Sequence, residues 1–163
     1  QYRIKNLQNL IVIIFITLRI TLTFVTTMNN TRFSTALHIL TLLADNGEEW
    51  LSSEWIAGSL NVNPVIVRKE LGVLIQAALV KSRKGKIGGY ALLKSSANIT
   101  LAEIYSLVKN TDVLGKKNLL PNPNCSIGKD INQKLDGLYS SIDQLVINEL
   151  QGKSLKYFVE TFH

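Results

Sequence analysis

The sequence predicts a mainly α-helical chain carrying one small β-hairpin, and three observations predict it. Apolar residues recur at three and four from Phe33 to Ala44, from Val67 to Ala78 and from Ile127 to Leu145, the spacing that keeps one face of a helix apolar. Asn61-Val62-Asn63 interrupts the apolar pattern, and Pro64 directly after it marks a strong helix start. Val80-Lys81-Ser82-Arg83 and Tyr90-Ala91-Leu92-Leu93 read as strands around the glycine-rich turn Lys84 to Gly89. Helix, turn, helix and hairpin, in that order, predict a winged helix-turn-helix followed by a long C-terminal dimerisation helix.

A chain of 163 residues suits one domain with an appended helix. Residues 28–97 are expected to form the winged helix-turn-helix, and residues 98–163 a connecting helix, a loop and the long helix. Residues 1–27 are expected to be an upstream extension or disordered segment outside the fold. Leu10 to Val25 is apolar enough to raise a signal peptide or a membrane span. Arg19 interrupts it, however, Thr17, Thr21, Thr23 and Thr26 dilute it, and no A-x-A-like cleavage site follows. The only methionine, Met28, stands directly before the first capped amphipathic pattern and reads as the natural start. No membrane partner is expected.

In chain order, Asn30 can cap a helix whose stripe is Phe33, Ala36, Leu37, Leu40, Leu43 and Ala44, closed by Asp45-Asn46-Gly47. His38 lies off that stripe without a Cys or carboxylate spaced for a metal, and reads as a partly buried histidine. Ser52 caps a short helix with Glu54 in its first turn and Trp55, Ile56, Ala57 and Leu60 on the buried side. Asn63 and Pro64 begin a helix running to about Leu79. Its inner face is Val67, Leu71, Leu74, Ile75 and Ala78, and its outer face Pro64, Val65, Arg68, Lys69 and Gly72. Thr100 and Glu103 form a capping box, with Ile99 and Ile104 as a hydrophobic staple, before a helix to about Lys109. Gly115, Pro121 and Pro123 mark a loop from Asn110 to Asn124. The long helix is expected from Ser126 to Glu149, its apolar seam being Ile131, Leu135, Leu138, Ile142 and Leu145. Such a helix needs a partner, and a second copy is the economical one. A terminal helix, Ser154 to Phe162, would turn Leu155, Phe158, Val159 and Phe162 inward.

The net charge of +6 is unevenly placed. Asn63 to Lys94 carries Arg68, Lys69, Lys81, Arg83, Lys84, Lys86 and Lys94 against Glu70 alone, so one stretch is strongly basic while the rest of the domain is slightly acidic. That is the footprint of a face that meets phosphates. The outer face of the Pro64 helix is small and basic near its N-terminus, as a helix entering a major groove about 12 Å wide must be. On that helix alone a merely solvated basic face is as good a reading. The hairpin decides it, because Arg83, Lys84 and Lys86 sit at its tip with no acid, and Gly85, Gly88 and Gly89 let the backbone approach another surface. A nucleotide-binding loop is disfavoured, since neither G-x-x-x-x-G-K-[ST] nor G-x-G-x-x-G occurs and the glycines lead into a strand.

These stretches resemble a known family. Leu51-Ser52-Ser53-Glu54-Trp55-Ile56-Ala57, Asn63-Pro64-Val65-Ile66-Val67-Arg68-Lys69, Ala78 to Gly85 and Gly88-Gly89-Tyr90-Ala91-Leu92 resemble the Rrf-two (Rrf2) family of bacterial transcription regulators. Asn124-Cys125-Ser126-Ile127-Gly128-Lys129 is similar to its YwnA-like branch. The resemblance implies a homodimer on a palindromic operator in double-stranded DNA, with the Pro64 helix in the major groove and the hairpin on the backbone and in the minor groove. Carried over residue by residue, it makes Ser53, Asn63, Pro64, Val65, Arg68, Lys69, Lys81, Arg83, Lys84, Gly85, Lys86, Gly88, Gly89 and Tyr90 the candidate DNA contacts. Cluster-binding members carry three closely spaced cysteines before the long helix, where this chain has only Cys125. No cofactor is therefore expected.

The expected function is a cytoplasmic, dimeric DNA-binding repressor whose effector the sequence does not identify. Two alternatives accompany it. Cys125 could serve as a thiol redox sensor, being placed near Lys129 at an expected helix start where a thiolate is favoured, and a winged fold could serve as a protein-interaction module without DNA. An enzyme is not expected, because His38 and His163 are the only histidines and neither stands in a catalytic motif with Cys125. One cysteine also excludes an intramolecular disulfide and suits a reducing compartment.

Overall fold

The structure, a computed structural model, describes residues 31–47, 49–85, 87–110 and 112–163. The expected extension over residues 1–27, the start at Met28, the cap at Asn30 and the wing cation Lys86 all lie outside the described residues. The architecture below is that of the unit Arg32–His163.

Its order is α1 (Arg32–Asp45), α2 (Ser53–Leu60), α3 (Pro64–Gln76), β1 (Val80–Arg83), β2 (Gly89–Leu92), a 3-10 turn (Ser96–Asn98), α4 (Leu101–Val108), α5 (Ile131–Gln151) and α6 (Leu155–Glu160). Described helices and a two-stranded antiparallel hairpin make it a winged helix-turn-helix with a long C-terminal helix. The core is one cluster: Ala36, Ile39, Leu40 and Leu43 of α1 meet Ile56 of α2, Val67, Leu71 and Leu74 of α3, Val80 of β1, Ile104 and Val108 of α4, and Leu155 of α6. Each fully buried Leu or Ile contributes about 1.5–3 kcal/mol relative to exposure, which is what holds three short helices in place.

The helix starts follow their caps. Ser52 Oγ accepts from the Trp55 amide at 3.1 Å, Asn63 Oδ1 from the Val65 amide at 2.8 Å, and Thr100 Oγ1 from the Glu103 amide at 3.1 Å. Between α2 and α3, Asn61 takes a left-handed conformation (φ 52°, ψ 46°) and its amide closes on Ala57 and Gly58 carbonyls. Asparagine is among the few residues that visit this region readily.

Several boundaries and faces differ from expectation. Helix α3 stops at Gln76, not Leu79, because Ala78 turns the chain at φ 55° so that fully buried Leu79 and Val80 can enter the core. Ala78 and Ile75 are consequently exposed. Trp55 is 50% exposed, since its neighbours Ile56 and Ala57 take the core face and successive helical residues point about 100° apart. Phe162 lies past the end of α6, 65% exposed, with its ring edge-on to Phe158 at 5.5 Å. The long helix begins at Ile131; Asn122 to Asp130 is instead a series of turns, held by Cys125 N–H to Asn122 O and Lys129 N–H to Cys125 O.

Two tertiary features escaped the pattern. Leu51 pairs with Tyr90 through both backbone bonds, 2.9 and 3.0 Å, adding a one-residue edge to β2. The loop after α4 is clamped to α5: Asp143, buried, binds Lys109 and accepts from the Val113 amide at 2.9 Å, Lys117 binds Asp136, and Asn132 donates to Asn118 O at 2.8 Å.

Candidate nucleic-acid interface

On α3 the cap and first turns leave Asn63, Val65, Arg68 and Lys69 exposed, with Pro64 half-buried. Val65 and Ile66 are 62% and 48% exposed, so the helix offers apolar contact between its charges. Arg68 reaches back to α2, where Nη1 donates to Glu54 Oε1 at 2.9 Å and to Ser53 Oγ at 3.4 Å. Hydrogen bonds from Glu54's own amide and the Ser53 hydroxyl, and then the field of Arg68, hold the Glu54 carboxyl below its ordinary range. The basic helix is thus tethered by a carboxylate whose place in the first turn of α2 points, in sequence, only to the macrodipole. Ser53, a candidate contact, is itself buried and stands behind Arg68.

Glu70, the lone acid in the basic stretch, faces inward. It is 4% exposed and accepts from Arg32 Nε and Nη2, at 2.9 and 3.1 Å, which ties α3 to α1. The Glu70 ion pair raises the Arg32 pKa further. The outer surface of α3 is therefore left to its cations.

On the wing, Lys81, Arg83, Lys84 and Gly85 are exposed, while Gly88, Gly89 and Tyr90 are half-buried. The register pairs Lys81 with Ala91, Ser82 with Tyr90 and Arg83 with Gly89. Gly89 is required by proximity: a Cβ there would stand 2.7 Å from Leu51 O. Tyr90 packs against the core rather than outward, its backbone holding Leu51. Arg83 donates to Ile87 O across the tip and lies 4.5 Å from the Trp50 ring, with Lys81 at 5.5 Å from the same ring. The structure thus gathers the candidates into two sets, Ser53 with Arg68 and Lys81 with Arg83. It adds Glu54, whose contact with Arg68 spans 14 residues, and Trp50, whose contacts with Lys81 and Arg83 are separated even further along the chain and leave no local pattern.

Away from this surface, Cys125 is exposed in the turn before α5. The amides of Gly128 and Ile127 hydrogen-bond its sulfur and hold the thiol below its ordinary pKa, against a smaller effect of burial. Along α5, Leu138 and Leu145 are 51% and 63% exposed, and Ile131, Leu135 and Ile142 are half-buried. An apolar cleft of about 440 Å³ lies between α1 and α6, lined by Leu37, Leu42, Phe158 and Phe162, with His38 and His163 at its rim. Those histidines face Ser59 and Asp45, not Cys125. Among the described residues no three His, Cys, Asp or Glu side chains come together to hold a metal, and no helix is long and apolar enough to cross a membrane.

Comparison with known proteins supplies the family. Residues 29–161 match the Rrf2 family, described as iron-dependent transcriptional regulators. YwnA of Bacillus subtilis, named as an HTH-type transcriptional regulator, is 41% identical over 129 residues, covering 79% of this chain and 95% of YwnA. A crystal structure described as a DNA-binding protein superposes with a TM-score of 0.63 at 37% identity, over 78% of this chain and 97% of that one. CymR of Bacillus subtilis, the global cysteine regulator, shares the fold with a TM-score of 0.60 at 23% identity, over 80% and 95%. The donor set of this chain, one cysteine in all, does not fit an iron–sulfur cluster, which needs several thiolates. With its winged helix-turn-helix, its basic outer surface and these relatives, the chain belongs to the Rrf2 family of transcriptional regulators and not to a family of enzymes.

Proposed function

We propose that the protein is a homodimeric repressor that binds a palindromic operator in double-stranded DNA, in a bacterial cytoplasm, without an iron–sulfur cluster. In this reading Asn63, Pro64, Val65, Arg68 and Lys69 enter the major groove, and Lys81, Arg83, Lys84 and the backbone of Gly85, Gly88 and Gly89 follow the phosphates. Ser53 orients Arg68. The observation that carries the reading is the separation of charge: the cations Arg68, Lys69, Lys81, Arg83 and Lys84 face solvent, while Glu70, the acid among them, is buried on Arg32. The exposed seam of α5 supports a second copy as partner, because exposed leucines at heptad-like spacing favour association with a like helix.

Footprinting on the chain's own upstream region tests this. Two protected half-sites about one helical turn apart are expected. Leu138→Glu with Leu145→Glu should give monomers in sedimentation and abolish the paired footprint. Unchanged dimers, or no protection by the wild type, would overturn it.

A second reading concerns the signal. The exposed Cys125 sulfur, met by two backbone amides, supports a thiol that oxidant modifies to release DNA. Oxidant release that persists in Cys125→Ser would refute it.

A further inference from the structure

We infer that Trp50 is a positioning residue for the wing, its indole ring being the platform that holds Lys81 and Arg83 side by side. The inference rests on the reading of the hairpin as a DNA-contacting wing. Both cations lie within the roughly 6 Å at which a ring face attracts them, Arg83 at 4.5 Å and Lys81 at 5.5 Å.

The backbone explains how one ring serves two strand residues. Lys81 and Arg83 are two apart on β1 and so project to the same side. Their cross-strand partners on β2 are Ala91 and Gly89, two small residues that leave room above the sheet. Leu51 is bonded to Tyr90 on the far edge of β2, which sets its neighbour Trp50 beside that space. The approach is close: a Cβ on Gly89 would stand 3.1 Å from the Trp50 carbonyl carbon. The hydrogen bond from Arg83 to Ile87 O then fixes the other end of the guanidinium.

An aromatic ring suits this task better than a carboxylate. It attracts both cations without neutralising either, so phosphate has no anion to displace. The rotational freedom of two long side chains is lost on folding instead of on binding, which favours association.

The test is a titration of a duplex from the chain's own upstream region at several salt concentrations, using full-length proteins. Trp50→Leu should weaken binding about tenfold with an unchanged salt slope, because no phosphate contact is removed. Trp50→Phe, which keeps a weaker ring, should lose less. Lys81→Ala with Arg83→Ala should flatten the slope by about two. In that background Trp50→Leu should have no further effect. An equal loss there, a flattened slope in Trp50→Leu, or wild-type affinity in Trp50→Leu would each overturn the inference. If Trp50→Leu does not fold, Trp50→Phe carries the same comparison between the two backgrounds. Wild-type protein that fails to bind at any salt would instead refute the DNA reading itself.

Discussion

In the body built from α1 to α4 every helix turns apolar residues inward: Ile39, Leu40, Leu43, Ile56, Leu71, Leu74 and Ile104 are all fully buried. In α5, the longest described helix, the buried residue is Asp143, while Leu138 and Leu145 face solvent. The first region is held by its own apolar burial. The second is tied by Asp143 to Lys109 at the end of α4 and to the Val113 amide, and by Asp136 to Lys117 in the loop between them, while Leu150 near its end packs against the core. A regular apolar stripe in sequence therefore has two outcomes in one chain, a core where it is covered and an exposed apolar face where it is not.

Truncating one leucine in each region separates the two most directly. Leu71→Ala, in the core, should cost about 2–5 kcal/mol of stability. Leu138→Ala should change the stability of the isolated chain by no more than about 0.5 kcal/mol and act mainly on its concentration dependence. Urea unfolding at two protein concentrations distinguishes them, and equal costs at high dilution would erase the distinction between the regions.

A smaller effect is expected at the polar clamp. Burial pushes the Asp143 carboxyl up, but its bonds from Lys109 and the Val113 amide outweigh that and leave its pKa below the ordinary value. A carboxyl whose folded pKa is depressed stabilises above its unfolded pKa and loses that contribution as pH falls through the acid range. Asp143→Asn should cost about 1–3 kcal/mol at neutral pH by leaving Lys109 short of its partner, and should remove this acid dependence. Hydrogen exchange at Val113 measures both.

The smallest effect sharpens the picture of the turn before α5. A Cβ on Gly128 would stand 2.4 Å from Asn122 O and 3.1 Å from Cys125 Cβ. Gly128→Ala should therefore open the turn, withdraw the amides from the sulfur and slow alkylation of Cys125 at neutral pH several-fold, with little change in overall stability.

What was legible in the sequence was whatever is encoded locally. Ser52, Asn63 and Thr100 announce their caps within three residues, and the stripes of α1 and α3 follow a helical period. The hairpin is bounded by its own glycines. Illegible features were made by contacts distant along the chain: Glu70 leaving the basic surface for Arg32, Glu54 holding Arg68, and Trp50 beneath the wing cations. The start of α5 lies later than the apolar pattern predicts, since Cys125 to Asp130 forms successive turns with bonds close to helical ones. The site's cations could be named from sequence, but not the groups that aim them.

Under the proposed function Arg68, carried into the major groove by α3, and Arg83, on the wing, both meet phosphates of one duplex. Binding of the wild type to its own upstream region, titrated across salt, should give a linear log–log dependence with a slope of about −0.9 per phosphate contacted. Arg68→Ala combined with Arg83→Ala should reduce that slope by about two and weaken binding at every salt. An affinity indifferent both to salt and to the two substitutions would contradict the account.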